Sequence, residues 1–325
     1  MTLTETDFSP VDDAGPVAVV ADVDGIPVSG LLAEAPSPRA VVVALHGGAT
    51  TSAYFDCPGH PELSLLRLAQ RLGFTALALD RPGYGSSGPY ADRLTQPQNR
   101  VDLMYGAVAA HLADRPRGAG VFLMAHSAGC ELALRMAGDT RGRDLLGLEL
   151  AGTGRTHHPV AQEILSRPRP EGRRPVGLGA LLWRPHRLYP PELVGGASIA
   201  VPGPQLEVTA ITNWADRDLP RMAARVRIPV RYTAGDHETV WRNEPEALVD
   251  VADMFTAAPR VVVNVQPDTG HNISLGNTAA AYHLKVLAFA EECIVAAATG
   301  EFSGPARQFD GGAQAPPGGE GNGGR

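Results

Sequence analysis

Apolar residues along this chain alternate between two kinds of pattern. Mostly apolar runs at 39–45, 74–79, 121–125 and 145–150 have the length and character of buried strands. Between them the apolar positions return at helical spacing, as with Leu65, Leu68, Ala69 and Leu72, where Gly73 closes the segment. A second helical stretch is predicted over 100–113. Upstream, residues 16–33 alternate about Asp24-Gly25, a hairpin signal. Downstream, strands are predicted at 228–234 and 260–265, the latter as the last of the sheet, with helices at 245–255 and 277–298. Strands alternating with helices of this length imply right-handed crossovers and a mostly parallel central sheet flanked by helices.

The alternation stops between 155 and 227, a proline- and arginine-rich stretch without a strand-length apolar run until Val226. A segment of that size inserted after the strand at 145–150 reads as a lid or cap. The expected organisation is therefore a loose arm over 1–15, a core built from 16–154 and 228–300, and an insertion over 155–227. The remaining 301–325 is a tail whose glycine, proline and polar residues bury too little surface to order.

Composition narrows the function classes. With 325 residues and a net charge of -7, the chain is long enough for one large α/β domain, and its acidic balance argues against nucleic acid as the main partner. Cys57, Cys130 and Cys293 are unevenly spaced and form no C-x-x-C pair, so they read as reduced thiols. The first residues, MTLTETDFSPVDD, lack a basic region followed by an apolar one, and no apolar run reaches the length of a membrane span. A cytoplasmic protein without a membrane partner is the expectation.

The candidate chemistry centres on 120–136, GVFLMAHSAGCELALRM, which reads as strand, sharp turn and helix with Ser127 at the apex. Such a turn needs small flanking residues, supplied by Ala125 and Gly129. The alternative is an ordinary helix N-cap serine. A serine hydroxyl needs a base within hydrogen-bond reach and a carboxylate to orient that base. In this architecture they follow in the order serine, acid, histidine. His271, in DTGHN after the strand at 260–265, is the candidate base, and Asp236 and Glu238 compete as the acid in the loop after 228–234. No metal is expected: His157-His158 are adjacent, without a metal-ligand spacing. A nucleotide reading of GTGR at 152–155 fails because neither G-x-G-x-x-G nor a Walker lysine is present.

HGG at 46–48, DRPGYGSS at 80–87, AHSAG at 125–129, GDHE at 235–238 and GH at 270–271 occur in an order and spacing that together resemble the α/β-hydrolase superfamily. The resemblance covers 41–298 apart from the insertion. It implies an acid three residues after the glycine that ends its strand, which is Glu238 here, where the family usually has aspartate; Asp236 stays open. It further implies oxyanion-holding backbone amides at Ala128 and at Gly48 or Ala49, with His46, Asp80 and Arg81 bracing their loops. His126 either faces the pocket or packs.

The implied activity is hydrolysis of a carboxylic ester or thioester through an acyl-enzyme on Ser127, with no cofactor. Acyl transfer or cyclisation of a carrier-bound chain is the alternative, and a lyase or ligand receptor on the same scaffold is a third. Ser127 stands where the dehalogenase and epoxide hydrolase branches use a carboxylate. Trp183 and Trp214, with Leu181, Leu182 and Tyr189, would either line an acyl pocket or cover the sheet. The insertion's arginines (Arg155, Arg167, Arg169, Arg173, Arg174, Arg184 and Arg187) read as a solvated surface or as contacts to an anionic substrate or acyl carrier protein.

Overall fold

A computed structural model of the chain describes residues 15–168, 175–196, 198–207, 214–300 and 307–310. Its strands are β1 (Val17–Val23), β2 (Ile26–Ala33), β3 (Val41–Leu45), β4 (Thr75–Leu79), β5 (Val121–His126), β6 (Leu145–Ala151), β7 (Val230–Gly235), β8 (Val261–Gln266) and β9 (Arg307–Asp310). They form one sheet in the order β1-β2-β4-β3-β5-β6-β7-β8-β9. Only β1–β2 and β2–β4 pair antiparallel; every other pairing is parallel. The hairpin turns at Asp24 (φ 51°) and Gly25 (φ 75°), two positive φ values of the kind that suit the twist of the flanking strands.

The continuous apolar runs are explained by burial on both faces. Val41, Val43 and Leu45 of β3 point into one core, with Leu77 and Leu79 of β4 and Leu123 and Ala125 of β5. Val42 and Ala44 point into the other, with Ala76, Ala78, Phe122 and Met124. Helices α2 (Pro97–Leu112), α3 (Gly129–Ala137) and α7 (Pro245–Asp253) cover the first face. Helices α1 (Leu65–Arg71) and α8 (Ala279–Thr299) cover the second. The insertion contributes α4 (Pro159–Ser166), α5 (Leu178–Leu181) and α6 (Leu219–Ala223), with single turns between them and no strand among its described residues.

The tail differs from its expected disorder. Arg307–Asp310 forms β9 and pairs with β8, so 260–265 does not contain the last strand. The unpaired edge of β8 supplies the hydrogen bonds, and Phe309 adds packing against the first core, so an ordered strand arises without an apolar run. Residues 1–14 of the expected arm and 301–306 and 311–325 of the tail lie outside the described residues. Among the described residues no helix is long and apolar enough to cross a membrane. Cys57, Cys130 and Cys293 are all free and buried.

Because β3, β5, β7 and β8 run parallel, the loops that follow them leave the sheet at one edge. Residues near positions 47, 127, 238 and 271 are thereby gathered from across the sequence.

Candidate active site

β5 ends at His126, and Ser127 follows in the left-handed region at φ 51°. That conformation costs a non-glycine residue about 1–3 kcal/mol, so the surroundings must hold it. Ser127 N–H donates to Ala151 O (2.8 Å), and Ser127 O accepts from Cys130 N–H (2.9 Å). Close approach dictates Gly129: a Cβ there would lie 2.6 Å from the carbonyl oxygens of both Leu45 and His46. Ala128, not Ser127, is the N-cap of α3, and no side chain caps it. The Ser127 hydroxyl is thus left free of the capping role.

It meets His271 instead. Ser127 Oγ lies 3.0 Å from His271 Nε2, and His271 Nδ1 lies 2.8 Å from Glu238 Oε2. The carboxylate can only accept, so Nδ1 carries the proton and Nε2 offers its lone pair to the serine hydroxyl. Glu238 is buried, and its other oxygen accepts from Val240 N–H (2.7 Å). Burial by itself would raise the Glu238 carboxyl. The facing His271 and the amides of Val240 and Trp241 outweigh it and hold the group below its ordinary value, in the charged form.

Asp236 has a different task. Its two oxygens accept the backbone amides of Asp268 and Thr269 (2.9 Å each), pinning the loop that carries His271 to the loop that carries Glu238. Of the two competing carboxylates, Glu238 is the one paired with the histidine. Asp236, His237 and Asp268 bring ligand atoms within 4.8 Å of one another, and each Asp236 oxygen there also accepts one of those amides. His157 stacks on Trp241 with ring centroids 4.1 Å apart, and His158 Nδ1 accepts from Val160 N–H at the start of α4.

His126 packs. It is buried, stacked on Tyr54 with centroids 4.6 Å apart, and its Nε2 donates to the carbonyl of His271 (2.8 Å). Burial, reinforced by the nearby His271 and Arg81, drives its pKa well below 6.5, so the ring is neutral. It holds the His271 backbone from behind, which is the packing alternative of the two that the sequence left open for it.

Trp183 and Trp214 are likewise committed to packing. Trp183 meets Tyr189 edge-on at 5.2 Å, and the Tyr189 hydroxyl accepts from Asn272 N–H (3.2 Å) beside His271. Trp214 sits in the first core and donates its indole N–H to Thr153 Oγ1 (3.0 Å). A buried indole needs an acceptor for that N–H, and apolar spacing alone could not tell such a residue from a pocket wall. Of the insertion's arginines, Arg155, Arg167, Arg184 and Arg187 are exposed, while Arg169, Arg173 and Arg174 lie outside the described residues. Arg184 and Arg187 line a cleft of about 440 Å³ with His158, Asp236 and His237, on the outer side of Glu238; Ser127 does not open into it.

The HGG loop lies against the serine: a Cβ on Gly47 would be 3.2 Å from Ser127 Cβ. Ala49 N–H donates to the Tyr84 hydroxyl (3.0 Å), whereas the amides of Gly48 and Ala128 have no acceptor among the described residues. His46 braces this loop, with Nδ1 donating to Gly47 O (2.8 Å) and Nε2 accepting Arg81 N–H (3.0 Å). Burial, then the adjacent Arg81 charge, keeps His46 far below 6.5. Asp80 accepts from Ser52 N–H (2.7 Å) and from the Ser29 hydroxyl (2.5 Å). Sequence reasoning missed Glu207, a buried carboxylate of the insertion that accepts from Arg81 Nη2 and from the Tyr84 hydroxyl, both at 2.6 Å. Nothing in PQLEV marks it; the available signal was the need of a buried Arg81 for a partner.

The sequence profile of the Alpha/beta hydrolase family matches residues 42–283. The chain belongs to that family. Solved structures similar to this alpha/beta hydrolase include the thioesterase domain from the curacin biosynthetic pathway, at 18% identity and a TM-score of 0.56, covering 84% of this chain and 99% of that one. Another is a thermostable carboxyl esterase from Bacillus coagulans, at 18% identity and a TM-score of 0.60, covering 86% of this chain and 99% of that one. Likeness at this identity shows the fold. Protein ABHD14A from Danio rerio is 45% identical over 67 residues, a stretch that spans 21% of this chain and 23% of that relative's length.

Proposed function

We propose that this alpha/beta hydrolase cleaves a carboxylic ester or thioester of a small molecule through an acyl-enzyme on Ser127. The observation that carries the reading is the unbroken hydrogen-bond chain from Ser127 Oγ through both nitrogens of His271 to Glu238. Ser127 Oγ attacks the carbonyl carbon while His271 Nε2 takes its proton, and Glu238 stabilises the imidazolium that forms. The carbonyl oxygen becomes an oxyanion held by the amides of Gly48 and Ala128. The tetrahedral adduct then collapses: the bond to the leaving oxygen or sulfur breaks, and His271 returns the proton to it. Water repeats the sequence in reverse, giving the acid and regenerating the serine. No cofactor enters. In this reading the segment between β6 and β7 is the lid and the protein works in the cytoplasm.

The test is turnover of a panel of p-nitrophenyl esters and acyl thioesters, carrier-bound chains included, by wild type and Ser127→Ala. The expected result is release of free acid from at least one panel member by wild type, lost by a factor on the order of 10⁶ in the variant. Equal turnover by both proteins would exclude the mechanism. Release of an amide, lactone or other transferred product in place of acid would shift the reading to acyl transfer.

A further inference from the structure

We propose that Glu207, carried by the inserted segment, is a positioning residue for the oxyanion loop; this rests on the acyl-enzyme reading above. One oxygen of its carboxylate accepts from both Arg81 Nη2 and the Tyr84 hydroxyl, each at 2.6 Å. Each of those groups in turn grips the loop on a different side of Gly48. The same Arg81 Nη2 donates to Gly47 O (2.7 Å), and the Tyr84 hydroxyl accepts Ala49 N–H (3.0 Å). The insertion adds a third hold through its backbone, Val201 N–H to Ala49 O (3.0 Å).

Those holds meet a demand of the loop itself. Ala49 sits at φ 58°, a conformation that a non-glycine residue keeps only where its surroundings enforce it. Gly48 has its own requirement, since a Cβ there would lie 2.6 Å from Glu207 Oε1. The carboxylate therefore bears directly on the residue whose amide is left to face an oxyanion. The side chains of Arg81 and Glu207 are each 7% exposed, so water cannot readily replace one partner when the other is lost. Seating the segment 201–207 and forming the oxyanion hole are then one event, and Glu207 acts on catalysis through its hold on residues 47–49.

Glu207→Gln and Tyr84→Phe test this with three readouts: steady-state kinetics, inhibition by a trifluoromethyl ketone that forms a tetrahedral adduct, and amide hydrogen exchange over 45–50. Both variants should lose roughly 10- to 100-fold in kcat and in ketone affinity, because only the tetrahedral state uses the oxyanion amides. KM should stay within about threefold and the pH profile of kcat should not move. Exchange over 45–50 should accelerate while the loops after β7 and β8 keep their protection. Should Glu207→Gln fail to fold, Tyr84→Phe carries the test, since it removes the Ala49 hold without stranding a charge. Unchanged ketone affinity with unchanged exchange would overturn the proposal, as would a rise in KM that matches the loss of ketone affinity. A wild-type protein without turnover would remove the acyl-enzyme reading, while the exchange data would still judge the Glu207 clamp.

Discussion

His271 and Glu238 are fixed mainly by core loops bonded to each other, whereas the loop around Gly48 is fixed through side chains that the insertion holds. On the first side, Asp236 ties the two loops together through the amides of Asp268 and Thr269, and Asn243 Nδ2 donates to Gly235 O (2.7 Å). His126 supports the His271 carbonyl, and the insertion adds the Tyr189 hydroxyl at Asn272 N–H, His158 N–H to Val240 O (3.0 Å) and Leu181 O at the Thr239 hydroxyl (3.3 Å). On the second side, Arg81 and Tyr84 reach the loop, but both converge on Glu207. The comparison teaches that, in the proposed mechanism, proton relay and oxyanion binding would lean on largely different supports. One is built mainly into the sheet edge; the other depends chiefly on how residues 201–207 are seated.

The sharpest probe of the first support is its pair of carboxylates. Glu238→Gln should cost about 10⁴-fold in kcat, as expected when the group that fixes a catalytic histidine's tautomer loses its charge. Asp236→Asn should cost about tenfold, because it loosens one loop-to-loop bond while leaving the pair 2.8 Å from Glu238 to His271 intact. Steady-state kinetics on both variants decides, and a larger loss for Asp236→Asn would invert the assignment.

A smaller effect compares the two supports through pH. His46 braces the oxyanion loop and His126 the His271 loop, and burial keeps both neutral with pKa values well below 6.5. The unfolded chain takes up protons on these rings as pH falls below 6.5, and the folded chain refuses them. Stability is therefore fully present above that value and declines on acidification. Each ring contributes a slope of up to about 1.4 kcal/mol per pH unit below it. Denaturant unfolding between pH 6.5 and 4.5 should show His46→Gln and His126→Gln each removing one such increment of slope. Equal slopes in wild type and both variants would mean that the rings protonate in the folded state and that neither support is as dry as its geometry indicates.

How much of this was legible in the sequence follows from the range of the interactions. β3 to β5 were readable because strands buried on both faces are nearly continuous in apolar residues, as 41–45 and 121–125 are, and β6 to β8 stayed readable although they bury Glu149, Arg231 and Asn264. Ser127 stood out as the apex of a tight turn flanked by the small residues Ala125 and Gly129, and His271 by its loop after the strand at 260–265. Glu238 was only half readable: two carboxylates stood in one loop, and the choice between them lies in the Asp236 bonds to residues 32 and 33 positions away. Glu207 was not readable at all, since its partners Arg81 and Tyr84 precede it by 126 and 123 positions. β9 escaped for the same reason. Arg307 to Asp310 has no strand signature of its own and owes its order to the edge of β8. Trp183 and Trp214 show a different limit: apolar spacing left pocket wall and sheet cover equally open, and only their tertiary contacts show them packed in the two cores.

The most direct test of the central claim is intact-protein mass spectrometry after exposure to a fluorophosphonate, on wild type beside Ser127→Ala. The account predicts a single adduct on wild type and none on the variant, with peptide mapping to Ser127. Folded wild-type protein that takes up no adduct, or takes it up equally with Ser127 removed, would contradict an activated serine at this site.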